Sequence, residues 1–296
     1  MDPIADAAVD AGISIPKGTG YFASDSDLPF QAPNFDAISE DDYIPAFEQA
    51  MRIHKAEIEA IKANPAPPTF SNTIVALEKS GRMLGRVSRV FFALTGTNTT
   101  DRLDEINTEI SPKLTAHGDS ITLDPVLFQR VKAVYDNRAA MSMTPEDAKL
   151  LENTYEGMVH AGALLTEAQR ERVKAINTEL TTLTTEFGQE AKAAMADQPV
   201  IFDTRAELAG LTDSDIKAAA DLAAEKGYAG KYAIALQNTT QQPLLAILEN
   251  RELRQRIQQV SAGRGSSGNE YDTRAIFADT LRLRSERAQM LGYETH

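Results

Sequence analysis

Apolar residues recur three and four positions apart over long stretches of the chain, the period of helices that bury one face. From Ser39 to Asn64, the residues Ile44, Phe47, Met51, His54, Ile58 and Ile61 form one such stripe. Ser39 and Asp42 have the spacing of a capping box, and Asn64-Pro65 with Pro67 and Pro68 stops the segment, because proline offers no N–H to extend the ladder. A second helix is predicted from about Ser71 to Gly96 on Ile74, Leu77, Leu84, Val87, Phe91 and Leu94. Further helix starts stand at Asp124-Pro125, at Thr144-Pro145 with Asp147, at Thr166 with Gln169 and at Thr212 with Asp215. Each sets a side-chain oxygen, or a proline at the first position, where the first backbone N–H groups would otherwise lack an acceptor.

Between Thr166 and Ala196, Val173, Ile176, Leu180, Leu183 and Phe187 alternate in steps of three and four, the seam of a long helix lying nearly parallel to a neighbour. Strands are predicted only at Pro199 to Asp203 and Lys231 to Leu236, with a helix from about Asp213 to Lys226 between them. The last third predicts two helices, Gln241 to Ala262 and Asn269 to Leu291, joined by a Gly/Ser turn. The pattern therefore specifies an all-α protein, or a mainly α one with a small β ribbon, without internal repeats. No linker is long enough to separate domains, so residues 1–28 read as an irregular extension and residues 29–296 as one helical lobe.

Composition narrows the function. The 30 Lys+Arg against 43 Asp+Glu leave a net charge of −13, and no basic run exists to follow a phosphate backbone, so no nucleic-acid partner is expected. With no cysteine, thiol nucleophiles, disulfides and thiolate metal sites are excluded. The densest apolar run, Val90 to Leu94, is far too short to span a membrane. Asp2, Asp6 and Asp10 open the chain where an export signal would be basic. A cytoplasmic location is expected, with the periplasm after removal of a signal as the alternative.

Candidate chemistry is sparse. Gly263-Arg264-Gly265-Ser266-Ser267-Gly268 has the letters of a dinucleotide-binding turn, but a helix enters it where a strand is required, so its glycines read as a helix stop, with Asn269 or Asp272 capping the next helix. The histidines are His54, His117, His160 and His296, and none begins a His-Glu-x-x-His pair. Glu156 and His160 lie four apart on a predicted helix, a spacing too common to imply a metal. His54 sits in an apolar stripe, where a hydrogen-bonded packing role is expected. No Gly-x-Ser-x-Gly elbow is present. No residue is assigned as catalytic, cofactor-binding or metal-ligating.

Four stretches carry a resemblance: Phe70-Ser71-Asn72-Thr73-Ile74-Val75-Ala76-Leu77-Glu78, Arg89 to Leu94, Leu236-Gln237-Asn238-Thr239-Thr240-Gln241-Gln242-Pro243, and Asn269 to Arg274 leading to Leu291-Gly292-Tyr293. In this order, from about Pro29 to His296, the chain resembles the N-terminal half of the thimet-oligopeptidase-like zinc metallopeptidases, in their peptidyl-dipeptidase branch. The resemblance implies the helical N-terminal lobe of an enzyme that removes dipeptides from the C-terminus of short peptides, forming one wall of a deep substrate channel. It implies zinc in the full-length family, held by a His-Glu-x-x-His helix and a downstream glutamate. Those residues belong to the family's C-terminal half, so none transfers to this sequence, and no zinc is expected in this chain.

The expected partners are short peptides, for the full-length enzyme, and the missing C-terminal catalytic half. Ile276, Leu281, Leu283 and Leu291 do not share one narrow stripe, so an exposed apolar patch and self-association are expected near the last helix. The alternative reading is a stand-alone helical interaction or scaffold module without enzymatic activity.

Overall fold

A computed structural model describes residues 2–197 and 199–296. The chain divides into two compact units, Met1–Thr182 with Leu283–His296, and Leu183–Arg282. The physical reason is that residues from Val200 to Ile257 close a core of their own.

The first unit is helical. Its opening helix, α1 (Pro3–Ala11), falls where an irregular extension was expected. Asp2 accepts from the Ile4 N–H at 3.1 Å, Pro3 takes the first helical position and Gly12 ends the helix at φ 66°. Ile4, Ala7 and Ala8 are buried. Next comes α2 (Tyr43–Ala63), led in by a 3₁₀ turn in which the Asp42 carboxylate accepts from the Ser39 N–H. The predicted helix over 71–96 is in fact broken. A π-turn (Phe70–Val75) runs into the short α3 (Ala76–Lys79), the chain bends at Ser80-Gly81, and α4 (Arg82–Thr97) follows.

Thr100 then caps α5 (Asp101–Thr122), a helix that the apolar pattern did not reveal. Three further helices start where their caps predict: α6 (Pro125–Asp136), α7 (Pro145–Ala161) and α8 (Glu167–Asp197), of which α8 continues past Thr182 into the second unit. The seam of α8 is buried at Val173, Ile176 and Leu180, whereas Phe187 is exposed, so the seam serves the first unit over only part of its length.

Two cores fill the unit. One joins Ile58 and Ile61 of α2 to Ile74, Leu127, Val131 and Leu151, and the other joins Tyr43, Phe47 and Ile53 of the same helix to Met83, Val87, Phe91 and Ile106. The Phe47 and Phe91 rings meet edge to face at 5.4 Å, the arrangement their quadrupoles favour. Asp124 accepts from both the Val126 and Leu127 N–H groups at 2.8 Å and pairs with Lys62 at 2.8 Å. Asp124→Ala is therefore expected to destabilise the unit by about 1–2 kcal/mol, the usual cost of a lost N-cap. Urea unfolding checks this, and a change below about 0.3 kcal/mol would mean that neither the cap nor the ion pair contributes.

In the second unit, β1 (Val200–Phe202) and β2 (Tyr232–Ile234) form the expected antiparallel ribbon, with Val200 opposite Ile234 and Phe202 opposite Tyr232. Between them lies α9 (Asp213–Glu225), which packs on β2 and is capped by Thr212. The helix expected over 241–262 is also broken, into α10 (Asn238–Ile247) and α11 (Arg251–Ala262). Asn250 caps α11 by accepting from Glu252 and Leu253, while the Glu249 N–H donates to Ala209 O at 2.9 Å. The last helix, α12 (Arg274–Met290), starts after Asp272 rather than at Asn269. On it Leu283 is buried, whereas Phe277 and Leu281, one turn apart, are about half exposed.

Candidate functional site

The sequence scatters its histidines, and the fold brings two of them together. His54 of α2 and His117 of α5 meet with His117 Nε2 and His54 Nδ1 3.0 Å apart. On its other side, His54 Nε2 lies 3.1 Å from Ser80 Oγ, and the Ser80 hydroxyl donates to Leu77 O at 2.7 Å. Since the single serine proton is spent on Leu77, Ser80 must accept from His54 Nε2–H. His54 Nδ1 is then the acceptor and His117 Nε2–H the donor, so one direction of donation runs from His117 through His54 to the α3 carboxyl end. Protonating His54 would end the acceptor role of Nδ1 and require His117 to change tautomer so that its Nε2 accepts.

Electrostatics agrees with this geometry. Burial, then the neighbouring His117, lowers the His54 pKa to about 4. Burial and Lys55 also lower that of His117. The same cluster fixes the bend after α3: Glu57 accepts from the Gly81 N–H at 2.7 Å, and burial raises its pKa despite that bond. Gly81 has φ 69°, and a Cβ there would lie 2.9 Å from the His54 ring. Sequence periodicity could flag His54 only as a stripe residue; Ser80, Glu57 and His117 join it from other turns of the fold.

The other sequence candidates stay apart. Glu156 and His160 are both exposed on α7, and the His160 ring lies 6.3 Å from that of Tyr293. Among the described residues no group of three His, Asp or Glu side chains could hold a metal. The His54–His117 pair does not fit the zinc of the resembling family, because its facing nitrogens are spent on each other. At Gly263–Gly268 a helix enters, as expected, and the turn closes on itself: Thr273 N–H donates to Gly265 O, and Asp272 accepts from Gly268 N–H. The Asp272 carboxylate, pinned also by Arg274, is held well below the usual range.

The stretches that carried the resemblance have structural roles. Asn72 accepts from Thr69 N–H and from the Thr73 hydroxyl while donating to Pro67 O, which fixes the start of the π-turn. The buried Arg130 donates to Asn64 O at 2.9 Å across the same corner. Phe91 and Val90 fill a core.

No protein-family model matches the chain. Dipeptidyl carboxypeptidase of Escherichia coli (strain K12) is 39% identical over 272 residues, 92% of this chain and 40% of that protein. Dipeptidyl carboxypeptidase of Salmonella typhimurium is 39% identical over 278 residues, 94% of this chain and 41% of that protein. Oligopeptidase A of Salmonella typhimurium is 24% identical over 271 residues, 90% of this chain and 40% of that protein. The chain thus spans about 40% of the length of these curated relatives. Identity at this level, sustained across more than nine tenths of the sequence, makes the chain a portion of a protein of the dipeptidyl carboxypeptidase and oligopeptidase A family.

Proposed function

We propose that the chain is the N-terminal, non-catalytic part of a zinc-dependent peptidyl-dipeptidase, whose helices form one wall of the channel that admits oligopeptides. The observation that carries this reading is the 39% identity to dipeptidyl carboxypeptidases over 92% of the chain. The zinc, the general base and the hydrolytic step then belong to the remaining part of the enzyme, which is also the chain's principal partner. The working place is the cytoplasm, with the periplasm as alternative; no helix among the described residues is long and apolar enough to cross a membrane.

The test is to read the gene beyond the His296 codon and to express the whole reading frame. The full product is expected to release C-terminal dipeptides from an N-blocked pentapeptide, to lose that activity to a chelator and to regain it with zinc. Residues 1–296 alone are expected to hold no stoichiometric zinc and to release nothing. A frame that stops at His296, with no second chain restoring activity, would favour the stand-alone module; chelator-sensitive hydrolysis by residues 1–296 would overturn the assignment of the chemistry.

A further inference from the structure

The segment from Tyr21 to Phe35 crosses α4 as a strap and leaves a cavity of about 510 Å³ beneath it. Arg86 holds the strap down. Its guanidinium donates to Phe22 O at 2.9 Å and to Ala23 O at 2.7 Å, and it pairs with Asp25 at 2.9 Å. The strap braces itself as well, with Asn34 N–H donating to the Tyr21 hydroxyl at 2.6 Å. One helical turn beyond Arg86, Arg89 lines the same cavity, and among the described residues it has no hydrogen bond and no ion pair. Arg89 is exposed, so its guanidinium is open to an anionic ligand at this cavity.

The apolar lining is exposed in part: Phe30 is fully exposed at 103% and Phe35 is 51% exposed, while Val90, also lining the cavity, is buried. Phe30 and Gln31 have φ 59° and 56°, two successive left-handed residues that carry a Cβ. Such backbone is unfavourable and recurs where a segment is shaped for a ligand. Here it holds an aromatic ring in water at the rim of a cavity whose volume suits a small ligand.

We infer that this cavity binds the C-terminal residue of a peptide, its carboxylate paired with Arg89 and a large apolar side chain set between Phe30, Phe35 and Val90. A guanidinium pairs with a carboxylate through two parallel N–H donors, which gives orientation as well as affinity. The exposed Gln31 amide and Ser24 hydroxyl, also lining the cavity, supply partners for the last peptide group. The choice of a peptide as bearer of the carboxylate rests on the peptidase reading above; the pairing of carboxylate and apolar side chain rests on the pocket alone.

The chain contains no tryptophan, so a tryptophan-ended probe reports binding without background. Ala-Ala-Trp with a free carboxylate is titrated with residues 1–296, following indole emission and anisotropy, beside the same tripeptide amidated and beside indole-3-propionate. The free acid is expected to saturate with a blue shift and to bind at least about tenfold more tightly than the amide. Arg89→Gln should erase that difference and Phe30→Ala should weaken both peptides, while far-UV circular dichroism and thermal midpoint stay unchanged because both side chains are exposed. Equal binding of acid and amide, a preference that survives Arg89→Gln, or no saturable binding would overturn the site. Indole-3-propionate binding as tightly as the tripeptide would overturn the peptide as its ligand. Dipeptide release by the whole enzyme tests the peptidase reading separately, and neither result stands in for the other.

Discussion

Gly210→Ala is expected to cost the second unit about 3–4 kcal/mol, the sum of backbone strain and a steric clash that cannot relax. Gly210 has φ 97°, and a Cβ built there would lie 2.2 Å from Ile247 O and 3.1 Å from Glu249 N. Both are main-chain atoms at the bend between α10 and α11, so neither can rotate away as a flexible side chain would. Moving the bend would also pull Glu249 N–H from Ala209 O and Leu248 from the core it fills. The control is Gly227→Ala. That glycine has φ 83° but nothing within 4 Å of a built Cβ, so it carries only the conformational penalty, about 1 kcal/mol. Hydrogen exchange at Ala233 and Ile234, with urea unfolding, measures the pair; equal losses in the two variants would refute the steric argument.

Acidification should weaken the first unit through His54. In the unfolded chain its imidazole titrates near the ordinary 6.5, and in the fold near 4. The folded-state value is lowered, so the contribution is complete above pH 6.5 and declines as the pH falls towards 4, because the unfolded chain takes up a proton that the fold refuses. The difference corresponds to about 3 kcal/mol. His117, also lowered, acts in the same direction. Glu57 and Asp119 act in the opposite one: burial raises both carboxyls, so the fold takes up their protons first as the pH falls. His54→Gln should therefore flatten the stability profile between pH 6.5 and 4.5 at the expense of some stability at pH 7. A wild-type profile and a His54→Gln profile of the same slope over that range would contradict the directed chain from His117 to Ser80.

What the sequence could tell about this fold divides along a physical line. Asp124-Pro125, Thr144-Pro145 and Thr212 with Asp215 were legible because a cap acts within three residues of itself. The ribbon was legible because Val200–Phe202 and Tyr232–Ile234 lack helical period. The two broken helices were not. Gly81 alone inside an apolar stripe is tolerable in a helix, and the groups that hold the bend there, His54 and Glu57, stand more than 20 positions away. The bend before α11 is shaped by Gly210 in the same nonlocal way. For α1 the signals Asp2, Pro3 and Gly12 were present, but a nine-residue helix shows too few apolar positions for a period, and its stability comes from burial of Ile4. The histidine pair joins residues 63 positions apart, and the pocket under the strap depends on how Arg86 is spent, so neither leaves a linear motif.

The bend at Ser80-Gly81 has a further consequence, for how the first unit comes apart. It sorts one apolar stripe between two cores: Ile74 and Ala76 go to one, Met83, Val87 and Phe91 to the other. Meanwhile α2 stays continuous through both, giving Phe47 and Ile53 to one and Ile58 and Ile61 to the other. A helix shared in this way cannot fray at one end without exposing residues that the other end depends on. The two cores are thereby tied into a single cooperative folding unit, and amides of Phe47 and Ile61 should open with the same free energy even though their side chains are sealed in different places.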